Sequence, residues 1–102
     1  MATFDDVTAK IRMAVGADSG LGKSLKFDLK GDGFIHIDGG SVTNEDAPSD
    51  LTLTLTLADL LDVAAGRLDA TAGVMSGRIK LSDMMLAMGL QPKMGALFSK
   101  IS

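Results

Sequence analysis

Cysteine, tryptophan and tyrosine are missing from this sequence of 102 residues, which also has only two prolines. Without cysteine the chain has no disulfide, no thiolate metal site and no cysteine nucleophile. Its formal net charge of -3 does not provide the cationic surface by which proteins bind nucleic acids. We therefore expect no nucleic-acid partner and no chemistry that depends on thiols.

Long apolar runs are missing as well. The longest candidate, at 57–65, is interrupted by Asp59 and Asp62 and falls far short of the ~20 residues that span a bilayer. The first residues carry acid, at Asp5 and Asp6, where a signal peptide would carry base. We predict a cytoplasmic protein, and the length suits one domain over residues 1–102.

Periodicity predicts a helix followed by several strands. Thr3 and Asp6 have the spacing of a capping box, and apolar residues at helical spacing follow as far as Gly16. Further along, apolar and polar residues alternate, which is typical of strands with one buried face. We place the strand at 50–56 inside the sheet, because an open apolar edge would invite aggregation. The predicted strands lie at 25–29, 35–37, around 42, 50–56 and 78–81, with turns at 31–33 and 39–40.

Helix signals are concentrated in the second half of the chain. Thr56 and Asp69 are placed to cap two short helices. Ser82 is placed to cap a further short helix that ends at Gly89, and Pro92 is placed to begin a last helix. Because hairpins dominate, we predict an α+β fold with a mainly antiparallel sheet. Helices should cover one face of it and leave the charged face to water.

Residues that could support catalysis are few. His36 is the sole histidine and alternates with Ile35 and Ile37, so we predict a histidine on the surface of the sheet. A metal site of the usual kind needs more histidine or cysteine, and no Gly-x-Ser-x-Gly elbow supports a serine triad. The carboxylate pairs at 5–6 and 45–46 suit capping or solvation. We predict no enzyme, no metal and no cofactor.

Three segments follow one another in an informative order. They are a strand with the sequence DLTLTLT at 50–56, a helix that breaks at GRLD at 66–69, and the stretch MSGRIKLSD at 75–83. In this order and spacing the chain resembles the sterol carrier protein 2 family, the non-specific lipid-transfer fold. Family members often have Asp-Pro where this chain has Asp69-Ala70, and Gly-Asp where it has Ser82-Asp83. Both departures lie at element boundaries.

The resemblance implies a twisted five-stranded sheet, helices over one face and an apolar tunnel between the two layers. It implies binding, with transfer as an option, of a lipid such as a sterol, a fatty acid, an acyl-CoA ester or a phospholipid. Another elongated apolar ligand and transient contact with a membrane are further options, and the oligomeric state stays open. The residues expected to line the tunnel are Phe27, Leu53, Leu55, Leu60, Met75, Ile79, Met84, Met85, Met88, Met94, Leu97 and Phe98.

Several features keep two interpretations open. Five of the seven methionines fall at 75–94, where this unbranched side chain suits an adaptable pocket or an ordinary core. The terminal helix at 91–101, with Ile101 on its apolar side, is either a lid that admits ligand or a seal over the core. A closed core would favour the alternative function, a non-catalytic structural or interaction module, with a homodimer as one option. Four bases either steer anionic headgroups or belong to a solvated sheet face: Lys26, Lys30, Arg78 and Lys80.

Overall fold

The computed structural model describes residues 3–101, apart from the side chain of Ile101. The predicted position of Ile101 on the apolar side of its helix therefore lies outside the described residues, as do residues 1, 2 and 102 of the predicted domain. The helices are α1 (Phe4–Val15), α2 (Leu57–Ala64), α3 (Ala70–Met75) and α4 (Met84–Ile101). The strands are β1 (Leu25–Asp28), β2 (Phe34–Asp38), β3 (Ser41–Thr43), β4 (Leu51–Thr54) and β5 (Lys80–Leu81).

The five strands form one sheet in the order β3-β2-β1-β4-β5, with β4 inside it as predicted. The pairs β1–β2, β2–β3 and β4–β5 are antiparallel, but β1 and β4 are parallel, with Phe27 opposite Leu53. The sheet is therefore mixed, and the prediction of a mainly antiparallel sheet is corrected. After β3 the chain returns through residues 44–50 to the end where β1 begins, so β4 starts in the same direction as β1.

One face of the sheet packs against the helices. Alternate residues of β1, β2 and β4 lie in register across this face and are fully or almost fully buried. The ring of Phe98 in α4 packs on that of Phe27 in β1, with the ring centroids 5.9 Å apart. The apolar face of α1 is buried in the same cluster. The helical layer over one face is thus confirmed, and its buried apolar area is the main source of stability.

The opposite face of the sheet is partly covered by the loop at 44–50. His36 is only 9% exposed, and its Nε2 donates to the carbonyl oxygen of Pro48 over 3.0 Å. Lys26 Nζ lies 2.6 Å from Asp46 Oδ1 and 5.5 Å from the centroid of the Phe34 ring. The prediction of a surface histidine on a water-covered face is therefore wrong at His36. The alternation of residues marks the face of a strand, but it does not reveal that a distant loop folds over that face.

The last two predicted helices are one continuous helix, α4, which passes through Gly89 and Pro92. Ala87, Leu90 and Met94 are buried at helical spacing across the predicted break, while Pro92 is exposed. Burial of this apolar stripe outweighs the tendency of proline to end a helix. The segment proposed as a lid is thus the second half of a longer helix, with Gly89 and Gly95 inside it.

The other predicted helix caps form, with one exception. The capping box of Thr3 and Asp6 is formed in both directions, and Thr56 and Asp69 cap α2 and α3. The cap of α4 is not Ser82 but its neighbour Asp83, whose carboxylate accepts from the backbone amide of Leu86 over 3.1 Å. The Ser82 hydroxyl oxygen instead accepts from the Thr52 amide over 2.9 Å and so ties β4 to the segment beyond β5.

Candidate ligand-binding site

A cavity of about 290 Å³ lies between the β4–β5 edge of the sheet and helices α2, α3 and α4. The strands form its floor, and the helices form its walls. Its methionine rim is open to water, because Met75, Met84 and Met88 are 84%, 51% and 67% exposed. The lining residues are Leu53, Leu55, Val63, Ala70, Thr71, Val74, Met75, Ile79, Leu81, Met84, Ala87, Met88, Gln91, Met94 and Phe98.

Eight of the twelve residues expected from the sequence lie around this one cavity. Three others, Phe27, Leu60 and Leu97, lie in the closed core at 0%, 0% and 3% exposure and do not line the cavity. Met85 is 83% exposed and lies outside the cavity, because it follows Met84 on the next face of α4. The eight that the structure brings together are Leu53, Leu55, Met75, Ile79, Met84, Met88, Met94 and Phe98.

Seven lining residues were not expected. Gln91 follows Met84 by seven residues and Met88 by three, so a prediction of one uninterrupted helix would have placed it on the same side as these methionines. No comparable signal exists for α3, whose six residues are too few to show a period. The seven are Val63, Ala70, Thr71, Val74, Leu81, Ala87 and Gln91.

Two glycines end the short helices that form one wall. Gly66 and Gly77 have φ of 78° and 82°, the left-handed conformation that favours glycine. In both places the chain forms a Schellman motif, with Arg67 N donating to Asp62 O over 2.8 Å and Arg78 N to Gly73 O over 2.9 Å. Because the amides of residues 78 and 79 are used at Gly73, β5 begins only at Lys80, later than the predicted strand at 78–81.

Close contact between α3 and the strand segment depends on Gly73. An added Cβ at this position would lie 2.7 Å from Ile79 Cδ1 and 3.0 Å from Ile79 Cγ1. A side chain at position 73 would therefore force the side chain of Ile79, which itself lines the cavity, to shift. The position of Ile79 in the cavity wall therefore depends on glycine at position 73.

An ion pair joins α2 to the segment that leads into β5. The guanidinium of Arg78 donates to the carboxylate of Asp59, and it also lies 4.0 Å from that of Asp62. Arg78 holds the pKa of the Asp59 carboxyl below its usual value, and this outweighs burial, which acts in the opposite direction. The Thr56 hydroxyl adds a smaller lowering. The pair fastens α2 beside Ile79 at the edge of the cavity.

Polar groups are scarce in the cavity. Thr71 and Gln91 are the two polar residues of the lining, and no charged residue is part of it. Across the described part of the chain, no group of three or more His, Cys, Asp or Glu side chains is arranged to hold a metal ion. This lining suits apolar contact, with two neutral groups that can hydrogen-bond.

Among the described helices, none is long and apolar enough to cross a membrane.

A two-layer α+β domain with an apolar cavity between sheet and helices is an architecture suited to carrying apolar ligands. The model of the SCP-2 sterol transfer family matches residues 6–94, and the chain belongs to this family. The expected family is thereby confirmed, and with it a general role in lipid binding or transfer. A comparison with curated proteins finds no significant match.

Solved structures share the fold at low sequence identity. Sterol carrier protein 2 from Yarrowia lipolytica, in its apo form, is 18% identical with a TM-score of 0.73, over 92% of this chain and 91% of that one. Sterol carrier protein 2 like 2 from Aedes aegypti is 22% identical with a TM-score of 0.70, over 89% and 92%. Part of the sec-alkylsulfatase Pisa1 from Pseudomonas sp. is 26% identical with a TM-score of 0.54, over 89% of this chain and 13% of the sulfatase.

Proposed function

We propose that the protein binds a lipid, or another elongated apolar ligand, in the cavity between β4, β5 and helices α2 to α4. The lining carries this proposal, since thirteen of its fifteen residues are apolar and none is charged. Membership of a sterol transfer family supports the same function. A carrier role without catalysis is part of this proposal, since the lining has no charged residue and its polar groups are the Thr71 hydroxyl and the Gln91 amide.

The size and opening of the cavity suggest how a ligand is held. Its volume of about 290 Å³ lies just below the range of typical small-ligand sites, roughly 300 to 1,000 Å³. Burial of the ligand's apolar part contributes roughly 25 cal/mol per Å² before the costs of association. The amide of Gln91 and the hydroxyl of Thr71 are available to a neutral polar group. A charged headgroup stays in water outside the methionine rim, so selectivity for headgroups is low.

The alternative function, a structural or interaction module, rests on a closed core. The cavity favours ligand binding over that alternative. The proposal keeps the predicted cytoplasmic location and the single domain of residues 1–102. Transfer between membranes, with transient membrane contact, is a further step that begins from the same bound state.

Native mass spectrometry of the purified protein, followed by organic extraction, tests the proposal first. We expect co-purified lipid at close to one per chain, or uptake of a fluorescent fatty acid by the lipid-free protein. A lipid-free mass together with no uptake of fluorescent fatty acid or fluorescent sterol contradicts the proposal and favours the interaction module. A dimer in the same spectra would support that second function.

A matched pair of substitutions on α4 locates the site. Ala87 is 6% exposed and lines the cavity, whereas Ala96 is exposed and does not line it. Ala87→Trp should fill the cavity and weaken binding of the fluorescent fatty acid by at least about tenfold, while Ala96→Trp should leave it unchanged. Thermal unfolding checks that both variants fold, and Ala70→Trp replaces Ala87→Trp if the latter does not. Equal affinities in a folded cavity variant and its control would place the ligand elsewhere.

A further inference from the structure

The described methionines divide into three groups by exposure and position. Met75, Met84 and Met88 line the cavity and are 84%, 51% and 67% exposed, and we call them the rim methionines. Met94 lines the cavity but is only 7% exposed. Two further methionines, Met13 and Met85, are 84% and 83% exposed without touching the cavity. The rim methionines are therefore open to water and small solutes, whereas Met94 is shielded from them.

An exposed thioether is open to oxidation by a peroxide. The sulfur lone pair attacks one peroxide oxygen, the O–O bond breaks and an S–O bond forms, so that sulfur loses two electrons and hydrogen peroxide is reduced to water. The sequence has no cysteine, so no thiol of this chain competes with methionine for the peroxide. Methionine sulfoxide reductases reverse the reaction. The rim methionines are thus accessible, reversible modification sites.

Oxidation at the rim changes the character of the cavity entrance. A sulfoxide is polar and accepts hydrogen bonds, whereas the lining offers only two polar residues, Thr71 and Gln91. A ligand that covers the rim would bury the sulfoxide oxygens against apolar groups, which opposes binding. The same modification on Met13 or Met85 would change only a solvated surface.

We propose that Met75, Met84 and Met88 are oxidation sites through which a peroxide lowers the affinity of the cavity for its lipid. This inference depends on the proposed function, because the rim sulfoxides act on a ligand bound in that cavity. Sulfoxide formation at three rim positions is expected to weaken binding at least about tenfold. The fold itself remains, since the side chains that oxidise are the exposed ones.

Hydrogen peroxide, a fluorescent fatty acid and two matched variants test the inference. One variant carries Met75→Leu, Met84→Leu and Met88→Leu, which keep an apolar rim without sulfur. The control carries Met13→Leu and Met85→Leu and keeps the rim methionines. Peptide mass spectrometry records which methionines become sulfoxides, and circular dichroism records the thermal unfolding midpoint of each oxidised protein.

We expect peroxide to weaken fatty acid binding by the unsubstituted chain and by the control, but not by the rim variant. Treatment with methionine sulfoxide reductases A and B should restore the lost affinity. Unchanged affinity with rim sulfoxides present, or an equal loss in the rim variant, overturns the inference while leaving the proposed function intact. No binding by any untreated protein refutes the proposed function, and this inference with it.

Discussion

Replacing Gly73 by alanine tests whether one close contact sets the cavity wall. Two effects of the added methyl group oppose each other. Alanine in a helix is favoured over glycine by about 0.5–1 kcal/mol, because glycine loses more backbone entropy on folding. Against this, the new Cβ lies 2.7 Å and 3.0 Å from Ile79 Cδ1 and Cγ1, and overpacking of this kind costs about 1–3 kcal/mol. We expect a net loss of about 1 kcal/mol in the free energy of unfolding.

Gly89→Ala is the matched control, because Gly89 lies within α4 and an added Cβ there meets no heavy atom within 4 Å. The same substitution should therefore stabilise the protein, by about 0.5–1 kcal/mol. Urea unfolding of both variants measures the two free energies. The reasoning is refuted if Gly73→Ala stabilises the protein as much as Gly89→Ala does.

A double-substitution cycle assigns the loss to Ile79. Ile79→Val removes the Cδ1 methyl group that the new Cβ would meet, at a cost of about 0.5–1.5 kcal/mol by itself. When Ile79→Val is already present, Gly73→Ala should be neutral or stabilising, so the two changes are not additive. In the chain with Ile79 intact, relief of the clash moves that side chain into the cavity, and fluorescent fatty acid should bind more weakly. Strict additivity would show that the contact is not the cause.

Two further predictions concern the ion pair and the long helix. Because Arg78 lowers the pKa of Asp59 in the folded protein, the pair stabilises the fold above the unfolded pKa of about 3.9, and this contribution is lost as the pH falls through the lower folded value. Asp59→Asn should therefore have a lower free energy of unfolding than the parent at pH 7 in urea, and this difference should shrink below about pH 4. A difference that does not vary with pH would exclude the ion pair as its source. Pro92→Ala restores a backbone donor to the carbonyl of Met88 inside α4 and should raise stability by about 1–2 kcal/mol in thermal unfolding. No gain would instead fit a helix that begins at Pro92.

The candidate site could be read from the sequence only in part. Leu53 of β4, Leu55 just after it and four methionines of α3 and α4 were expected to line a tunnel, and they lie around one cavity. Apolarity alone does not separate a cavity wall from a closed core, which is why Phe27 and Leu60 were included although they are fully buried. Met85 was included because it lies in the methionine cluster, yet one residue turns an α-helix by about 100° and directs it away from the cavity.

Interactions within a few residues were determined by the sequence itself. The capping box at Thr3 and the caps at Thr56 and Asp69 form as predicted, because each donor and acceptor is separated by only two or three positions. The alternation in β1 and β4 likewise assigned the buried face, because successive side chains of a strand point to opposite sides. The order of these local elements carried the resemblance to the family, which the match over residues 6–94 then confirmed.

Contacts between distant segments were decided only by the tertiary structure. The loop at 44–50 returns across the sheet, buries His36 and makes β1 and β4 parallel. Burial of one apolar stripe keeps α4 continuous through Pro92, against its local preference. The close approach of α3 to Ile79 in the cavity wall depends on Gly73, and Ile79 lies outside α3. Each of these outcomes depends on which surfaces pack together, and the periodicity of one segment does not show which distant segment packs against it.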